Sequence, residues 1–195
     1  MTMAPPGAAR RGRGPTKADL DAAREATLPD ILPAAGADFA VLFCGINPGL
    51  YSAATGYHFA RPGNRFWPAL QLSGFTSRRL APSEQGLLPC YGLGITNLVA
   101  RASARAAELT PAELREGGAG LLELAAGHRP RFVAIAGVTA YRTAFGRPAA
   151  RIGPQEHLLG PALVWVLPNP SGLNAHWPLA AMVEEFERLR AARRR

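Results

Sequence analysis

Short apolar runs alternate with helical patterns along this chain. The runs predict four strands, at residues 40–44, 91–99, 131–136 and 163–167. Their near-continuous apolar character is typical of strands that are covered on both faces. Helices are predicted between and after them, at residues 65–72, 110–126, 138–145 and 178–192. Strands that alternate with helices in this way favour an α/β fold with a parallel sheet and helices on both faces.

Local signals mark some of the helix ends. Thr110, Pro111 and Glu113 supply an N-cap, a first-turn proline and a side chain that reaches back to the cap, which together predict a helix start. A short helix is also predicted over residues 17–26. Residues 51–64 are polar, aromatic and glycine-containing, so we expect no regular element there, and a loop of this length is often functional.

The turn after the first predicted strand, Gly-Ile-Asn-Pro-Gly at residues 45–49, carries a single polar side chain, Asn47. Its glycines and proline bend the backbone and leave room beside the turn. In an open α/β sheet, ligands bind at the carboxyl ends of the strands. Asn47 is therefore a candidate site residue, although asparagine also commonly serves only to stabilise a turn.

A second turn follows the same plan. Residues 168–172, Pro-Asn-Pro-Ser-Gly, come directly after the last predicted strand, and the second predicted strand leads into the polar pair Thr96 and Asn97. The carboxyl ends of parallel strands meet at one edge of a sheet. We therefore expect these polar segments to face one another across one cleft.

Composition is compatible with one domain. The chain has 195 residues, 48% of them hydrophobic, which is enough to bury a substantial core. Its apolar stretches fall far short of the roughly 18 to 20 residues that span a bilayer, so no membrane segment is expected. The N-terminus lacks the apolar run of a secretory signal, and Cys44 and Cys90 do not make a disulfide framework. A cytoplasmic location is expected.

The net charge of +8 is concentrated at the two ends of the chain. Residues 1–17 contain four basic side chains and residues 188–195 contain five, without any acidic residue, which leaves 13 basic and 14 acidic groups in the remainder. We expect a basic, flexible arm over residues 1–27, a folded domain over residues 28–187 and a basic tail over residues 188–195. Such ends attract phosphate without reading sequence. Tails that only aid solubility are an equally good interpretation.

The residue patterns of several enzyme classes are missing. Neither the histidines nor the cysteines have metal-ligand spacing, and the sequence contains no G-x-S-x-G elbow and no phosphate-binding loop. What remains around the predicted cleft is a set of amide and hydroxyl groups beside an aromatic loop, namely Asn47, Ser52, Asn97, Asn169 and Ser171 with Tyr57 and Phe59. Such a cleft suits a flat, uncharged ring that forms hydrogen bonds. A nucleobase is such a ring and also stacks on aromatic side chains.

Two motifs resemble the mismatch-specific uracil/thymine-DNA glycosylase family, a branch of the uracil-DNA glycosylase superfamily. They are Gly-Ile-Asn-Pro-Gly at residues 45–49 and Asn-Pro-Ser-Gly-Leu at residues 169–173. The similarity runs from about residue 40 to residue 186 and includes Asn-Arg-Phe-Trp at residues 64–67 and Gly-Ile-Thr-Asn-Leu-Val at residues 94–99. It implies a three-layer α/β/α sandwich around a central, mainly parallel four-stranded sheet. It also implies an enzyme that needs no metal or cofactor, and we expect a monomer.

The resemblance implies a monofunctional DNA glycosylase, which flips a damaged nucleotide out of double-stranded DNA and hydrolyses its N-glycosidic bond. By the family pattern, Asn47 positions the attacking water and Phe59 stacks on the extruded base. The remainder of the base pocket is expected from the first loop and from the ends of other strands, at Ile46, Gly49, Ser52, Asn97 and Asn169. Because an amide is a weak base, the sugar must acquire oxocarbenium character as the bond breaks, and we expect slow turnover.

The second motif is expected to contact DNA through Ser171, Gly172, Leu173 and Asn174. By the resemblance, Leu173 enters the gap left by the flipped nucleotide, as apolar wedges do in other distorted duplexes. Ordinary turn packing is the alternative. Ala175 stands where some relatives present an arginine toward the unpaired guanine, which weakens the expectation of specificity for guanine in the opposite strand.

Three residues near the aromatic loop have simpler interpretations. We expect His58 to be a surface histidine of the loop, with approach to DNA phosphate as the alternative. Arg61 and Arg65 could contact the DNA backbone, or they could cover the aromatic loop.

Two positions bear on the choice of base. Gly49 stands where uracil-specific relatives carry a tyrosine, so bases enlarged at C5 should enter; a purely conformational role is the alternative. Asn97 is expected to read uracil, where some mismatch-specific relatives have lysine. The interpretation is excision of uracil, with thymine or exocyclic cytosine adducts as further substrates, opposite guanine, to initiate base excision repair. A uracil glycosylase with little mismatch preference and a non-catalytic reader of damaged DNA or nucleotides are the alternatives.

Overall fold

The computed structural model describes residues 14–174 and 176–193. In chain order its elements are α1 (Lys17–Ala22), β1 (Val41–Gly45), α2 (Leu50–Thr55), α3 (Phe66–Leu72), a 3-10 helix (Pro82–Tyr91), β2 (Leu93–Asn97), a short 3-10 turn (Ala106–Glu108), α4 (Pro111–His128), β3 (Phe132–Ala136), α5 (Val138–Phe145), β4 (Gly153–Leu159), β5 (Ala162–Leu167) and α6 (Leu179–Ala192). The α/β class predicted from the sequence is confirmed. Within the described ranges, no helix is long and apolar enough to cross a membrane.

A five-stranded sheet in the order β2-β1-β3-β5-β4 forms the centre of the fold. The first four strands in this order are parallel, as predicted, and β4 runs antiparallel to β5 at the edge. The prediction of four strands is therefore wrong by one edge strand. β4 contains Gln155, Glu156 and His157 and alternates buried and exposed residues, so it lacks the apolar run that identifies the other strands.

Side chains alternate between the two faces of the sheet, and helices cover each face. On β1, Val41 and Phe43 belong to a core shared with α3 and α6, whereas Leu42 and Cys44 belong to a core shared with α4 and α5. None of these four side chains is more than 1% exposed. The predicted three-layer α/β/α arrangement is thus confirmed. Burial raises the pKa of the Cys44 thiol, in keeping with a small core residue.

Several segments depart from the predicted element bounds. Leu50–Thr55 forms α2 where the sequence predicts no regular element, and an extended Gly49 and a left-handed Gly56, with a φ of 78°, mark its two ends. Residues 188–192 belong to α6, so the predicted domain boundary after residue 187 falls inside a helix.

The described part of the predicted N-terminal arm contacts the rest of the domain. α1 ends at Ala22, earlier than predicted, and packs against α2. Thr27 pairs with Arg101 in an antiparallel bridge. Residues 1–13, Ala175 and residues 194–195 lie outside the described residues, so the expectations about them stay predictions.

The sheet order makes the carboxyl end of β1 a topological switch point. From β1 the chain passes to β2 on one side and later to β3 on the other side. Connections that leave in opposite directions open a crevice between them, and ligands bind there in sheets of this kind. Gly45 and Asn97, which end β1 and β2, are paired at this edge.

Helix α4 approaches the segment after β2 so closely that it requires a glycine. A Cβ added at Gly117 would lie 2.0 Å from the carbonyl oxygen of Leu98, whereas one added at Gly120 would have no heavy atom within 4 Å.

We predict that Gly117→Ala lowers the free energy of unfolding by about 1 to 3 kcal/mol through overpacking. Gly120→Ala, on the same helix, should raise it by about 0.5 to 1 kcal/mol through helix propensity. Urea denaturation checks both, and a stabilised Gly117→Ala variant would contradict the close approach.

Candidate active site

A cavity of about 240 Å³ lies at the switch point. Most of the site residues predicted from the sequence line it, namely Ile46, Asn47, Gly49, Ser52, Phe59, Asn97, Asn169, Ser171 and Leu173. Gly172 and Asn174 lie in the same loop as the last two but are not part of the lining. The two motifs therefore meet at one cavity, as the sequence predicts, while the roles given to the individual residues stay predictions.

The amide of Asn47 is fixed by a neighbouring loop. Its Nδ2 lies 2.8 Å from Ser103 Oγ, 3.1 Å from the Arg101 carbonyl oxygen and 3.2 Å from the Pro48 carbonyl oxygen. The Ser103 hydroxyl donates its own hydrogen to the Arg105 carbonyl, so it accepts from Asn47, and all three neighbours are acceptors. These contacts identify the NH2 end of the amide and leave Oδ1 as the end that can accept a hydrogen bond from a ligand.

The loop that holds Asn47 is itself anchored by an ion pair. Arg101 Nε lies 2.5 Å from Glu113 Oε1, and both side chains are 27% exposed. The hydrogen bond from Arg101 and those from Thr110 lower the pKa of Glu113 to about 2. The pair is therefore intact at neutral pH and weakens only as the pH falls through the lowered pKa.

Phe59 presents an aromatic ring to the cavity from a strained backbone position. Its φ of 52° lies in the left-handed region, which usually costs a bulky residue about 1 to 3 kcal/mol. The ring stacks on Phe66, with centroids 4.1 Å apart and planes inclined by 23°. Ser52 Oγ accepts a hydrogen bond of 3.1 Å from the N–H of Ala60 and so holds the turn. Because the ring also lines the cavity, it can offer a flat apolar surface to a planar ligand.

Gly45 allows two site side chains to approach each other. A Cβ added at Gly45 would lie 2.6 Å from Asn97 Oδ1 and 3.3 Å from Phe59 Cζ. The Asn97 amide and the Phe59 ring are therefore neighbours over the end of β1. A planar ligand stacked on the ring would have its edge within reach of the amide.

The expectation that His58 is a surface histidine is wrong. His58 is 2% exposed, with Nε2 3.0 Å from the Pro29 carbonyl oxygen and Nδ1 3.3 Å from Asn97 Nδ2. Its backbone N–H donates to Gln85 Oε1 over 2.8 Å. Burial lowers the pKa of the imidazole, so the ring is neutral near pH 7. The loop turns inward at this position because each polar group of His58 finds a partner there.

Gly49 leaves open space beside the cavity. A Cβ added there would have no heavy atom within 4 Å. Its φ of −72° and ψ of 156° are ordinary extended values that any residue adopts, so backbone conformation alone does not require glycine. Ile46, in contrast, is closely packed, because its Cδ1 would lie 2.9 Å from a Cβ added at Gly137.

The second motif forms a tight loop that is stabilised by its own side chains. Asn169 Oδ1 accepts from the N–H of Ser171 over 3.0 Å, and Ser171 Oγ accepts from the N–H of Leu173 over 3.3 Å. Asn174 Nδ2 donates to the Asn169 carbonyl over 3.0 Å. These bonds leave Asn169 Nδ2 as the end of that amide able to bind a ligand. Leu173 is 74% exposed and so is not packed within the turn.

Arg65 connects the second motif to the aromatic loop. Its guanidinium donates to the carbonyl oxygens of Ser171, Asn174 and Trp177, and its backbone N–H donates to the Pro170 carbonyl over 2.9 Å. Contact with DNA is one of the two roles predicted for this arginine, but its donors are directed into the protein. The structure thus gives Arg65 a third role, as the residue that holds the second loop in place.

The charged residues of the cavity are all basic in the described part of the chain. No carboxylate lines it there, and its two arginines, Arg61 and Arg105, are exposed. Within residues 14–174 and 176–193, no group of three or more His, Cys, Asp or Glu could hold a metal ion. Among the described residues, the cavity therefore offers neutral side chains, chiefly amides and hydroxyls, to orient a water, and its arginines can attract phosphate.

Several contributors to the site could not be found from the sequence. Ser103 and Arg105 lie in residues 100–106, where alanine alternates with arginine and serine and no motif is present. Pro29 contributes only a backbone carbonyl, which leaves no signal in residue identity. His58 offers one weak signal, its position directly before Phe59 in the aromatic loop.

The fold and the cavity define a three-layer α/β/α protein with a polar and aromatic cavity at its switch point. The family model of the Uracil DNA glycosylase superfamily matches residues 33–191. The chain belongs to this superfamily, whose members are N-glycosylases, hydrolases that act on DNA. The match includes every site residue predicted from the sequence. It does not distinguish the mismatch-specific branch from the others.

We predict that Arg65→Ala loosens the second motif without unfolding the domain. The substitution removes charged donors from three carbonyl groups, and the amide hydrogens of residues 171–174 should then exchange at least about tenfold faster. Hydrogen exchange monitored by mass spectrometry or NMR measures this. Arg61→Ala, at an exposed arginine of the same loop, is the matched control and should leave the exchange unchanged. Equal exchange rates in the two variants would contradict the role of Arg65.

Proposed function

We propose that this chain is a monofunctional glycosylase that excises uracil from DNA, with a preference for uracil opposite guanine. The observation that carries the proposal is the Asn47 amide, whose NH2 end is bound by Ser103 and Arg101 so that its oxygen is the acceptor offered to a ligand. The cavity of about 240 Å³ is below the range of roughly 300 to 1,000 Å³ typical of sites for drug-sized ligands. A single base suits it better than a base pair.

In the proposed reaction, Asn47 Oδ1 accepts a hydrogen bond from a water and directs its lone pair toward C1′ of the flipped nucleotide. The C1′–N1 bond breaks first, and its electron pair leaves with the base, so C1′ acquires oxocarbenium character. The water oxygen then forms the new bond to C1′, and its proton passes to the departing base or to solvent. An amide cannot accept that proton itself, so the contribution of Asn47 is orientation.

The departing base carries negative charge, and the proposed pocket stabilises it with hydrogen bonds. Asn97 and Asn169 have amide N–H groups, and the backbone of Ile46 lies beside them in the first loop. No carboxylate lines the cavity among residues 14–174 and 176–193, and this favours an anionic leaving group, which a carboxylate would repel at close range. Preorganised neutral donors avoid that repulsion and need little reorganisation during the reaction.

Base flipping costs a few kcal/mol and is easier at a mismatch than at a Watson–Crick pair. Leu173 is 74% exposed at the rim, which suits a wedge that fills the gap in the duplex. Ser171, Gly172 and Asn174 are proposed to contact the adjacent phosphates. Preference for uracil opposite guanine would then come from the weakness of the mismatch, because Ala175 brings no polar side chain to read the guanine.

A uracil glycosylase with little mismatch preference is the second candidate, and the alanine at position 175 is the observation that favours it. Single-turnover release from uracil opposite guanine, from uracil opposite adenine and from single-stranded DNA distinguishes the two. Similar rates on all three substrates would favour the second candidate.

The activity itself is tested with an end-labelled duplex that contains one uracil. After incubation with the protein and a chelator, alkali treatment should break the labelled strand at the uracil position. Binding without alkali-labile sites would instead indicate a non-catalytic reader of damaged DNA.

Asn47→Ala should reduce single-turnover release of uracil by at least about tenfold, because the water loses its positioning group. Folding and binding of the uracil duplex should be retained. Ser103→Ala is an intermediate control. It keeps the Asn47 oxygen but removes the Ser103 hydroxyl, which accepts a hydrogen bond of 2.8 Å from Asn47 Nδ2 and orients the amide. Its rate should fall between those of the wild type and Asn47→Ala. Unchanged release by Asn47→Ala would refute the assigned role.

Gly49→Tyr should suppress release of 5-hydroxymethyluracil more than release of uracil, because a ring would occupy the open space beside the base. Gly49→Ala is the matched control: its Cβ meets no atom within 4 Å and its backbone conformation is ordinary, so both rates should stay near those of the wild type. Pocket shape discriminates a single small group by only about 1 to 3 kcal/mol, so the wild type should release both bases. Wild-type protein that cleaves uracil but wholly rejects 5-hydroxymethyluracil would show that another residue closes this wall.

A further inference from the structure

A buried histidine lies directly behind the amide that faces the base pocket. His58 is 2% exposed and bridges two partners, the Pro29 carbonyl oxygen at 3.0 Å from Nε2 and Asn97 Nδ2 at 3.3 Å from Nδ1. Water positioning by Asn47 and ring stacking on Phe59 do not use this histidine. Pro29 also precedes residue 33, where the match to the superfamily begins.

The Pro29 carbonyl determines the tautomer of His58. A carbonyl oxygen can only accept a hydrogen bond, so Nε2 must carry the hydrogen. A neutral imidazole has a single N–H, and burial keeps this ring neutral. Nδ1 therefore presents a lone pair to Asn97.

The tautomer of His58 in turn determines the orientation of the Asn97 amide. Only the NH2 end of the amide can donate to the Nδ1 lone pair, so Nδ2 must lie on the His58 side, and Oδ1 lies on the side of Gly45. In the reversed orientation, the amide oxygen would face the imidazole lone pair and the hydrogen bond would be lost. The amide is thus held with its second N–H hydrogen and its oxygen available to a ligand.

We infer that His58 is a positioning residue that sets the base specificity of the pocket by fixing which way the Asn97 amide points. An N–H donor beside an oxygen acceptor complements the O4 and N3–H of uracil. Cytosine presents the opposite pattern, an amino donor beside an unprotonated N3, and would need the reversed amide. The inference rests on the proposed function, because it deepens the account of substrate choice at the same site.

Two substitutions separate the two hydrogen bonds of His58. In His58→Asn, the side-chain amide reaches the position of Nδ1, so it can still accept from Asn97 but cannot reach Pro29. In His58→Gln, the amide reaches the position of Nε2, so it can still donate to Pro29 but leaves Asn97 without its acceptor. The variants are similar in polarity and both lack the imidazole, so each controls for the other.

If His58 acts through Asn97, single-turnover release of uracil by His58→Asn should stay within about threefold of the wild-type rate. The rate of His58→Gln should fall at least about tenfold, because a buried donor is then left without an acceptor. The loss caused by His58→Gln should vanish in an Asn97→Ala background, as in a double-mutant cycle between coupled residues. If His58 is merely structural, the two variants should lose uracil release equally or in the reverse order, and the loss caused by His58→Gln should persist in the Asn97→Ala background. Either of those results would overturn the inference.

A measurement on the unsubstituted protein keeps the test independent of variant folding. The ¹⁵N resonances of the His58 ring should report a protonated Nε2 and an unprotonated Nδ1 at neutral pH. A protonated Nδ1 would overturn the inference even if uracil is released normally. If the wild type releases no uracil at all, the proposed function fails and the inference fails with it. The wild-type assay therefore distinguishes a failure of the proposed function from a failure of the role given to His58 alone.

Discussion

The parallel pairing of β1 with β2 continues beyond the ends of the strands, and the candidate site depends on this continuation. Leu98 N–H donates to the Gly45 carbonyl over 2.8 Å, Val99 N–H to the Ile46 carbonyl over 2.9 Å, and Ser103 N–H to the Pro48 carbonyl over 3.1 Å. Two loops that would otherwise be independent are thereby joined along their length. The Asn47 amide donates to the second of these loops, at Ser103 Oγ and the Arg101 carbonyl. Its position is therefore set by backbone pairing that starts in the buried core, and the rigidity of the sheet extends to the proposed water-binding oxygen.

The rest of the cavity wall is held by equally specific contacts. Gly45 lets Asn97 and Phe59 approach the end of β1, and the Phe59 ring stacks on Phe66, a buried residue of the core. The left-handed backbone of Phe59 persists because this stacking and the surrounding turn stabilise it. On the opposite side, the Arg65 guanidinium donates to the carbonyl of Ser171 in the second motif and to the carbonyls of Asn174 and Trp177 that follow it. A pocket of this construction is largely formed before a ligand arrives, which reduces the ordering that binding requires.

Much of this arrangement could be predicted from the sequence, and the exceptions have physical causes. The apolar runs identify β1, β2, β3 and β5 because both of their faces are buried, whereas β4 lies at the sheet edge and has no such run. The two motifs identify Asn47 and Asn169 because glycine and proline around them mark turns at strand ends. Ser103 and Arg105, which line the cavity, and the Pro29 carbonyl, which bonds His58, could not be predicted, since long-range packing that no local pattern encodes brings them there. The sequence predicts His58 at the surface because a polar residue in a polar loop ordinarily lies there; its burial depends on partners distant in sequence, including Gln85.

Because an amide is a weak base, the site must select among bases mainly through the contacts that stabilise the leaving base. A carboxylate base would accelerate attack on any nucleotide that enters, so the pocket itself would have to reject wrong bases strongly. In the proposed reaction Asn47 only orients water, and bond cleavage then depends on how well the pocket stabilises the leaving base. Discrimination between bases is therefore strongest where the wrong base has a mismatched hydrogen-bonding pattern and leaves buried polar groups unpaired. It is weakest where two bases differ only in shape. Under the proposed function, that distinction makes the choice between uracil and cytosine depend on the orientation of Asn97, and the choice among bases that differ at C5 depend on the open space beside Gly49.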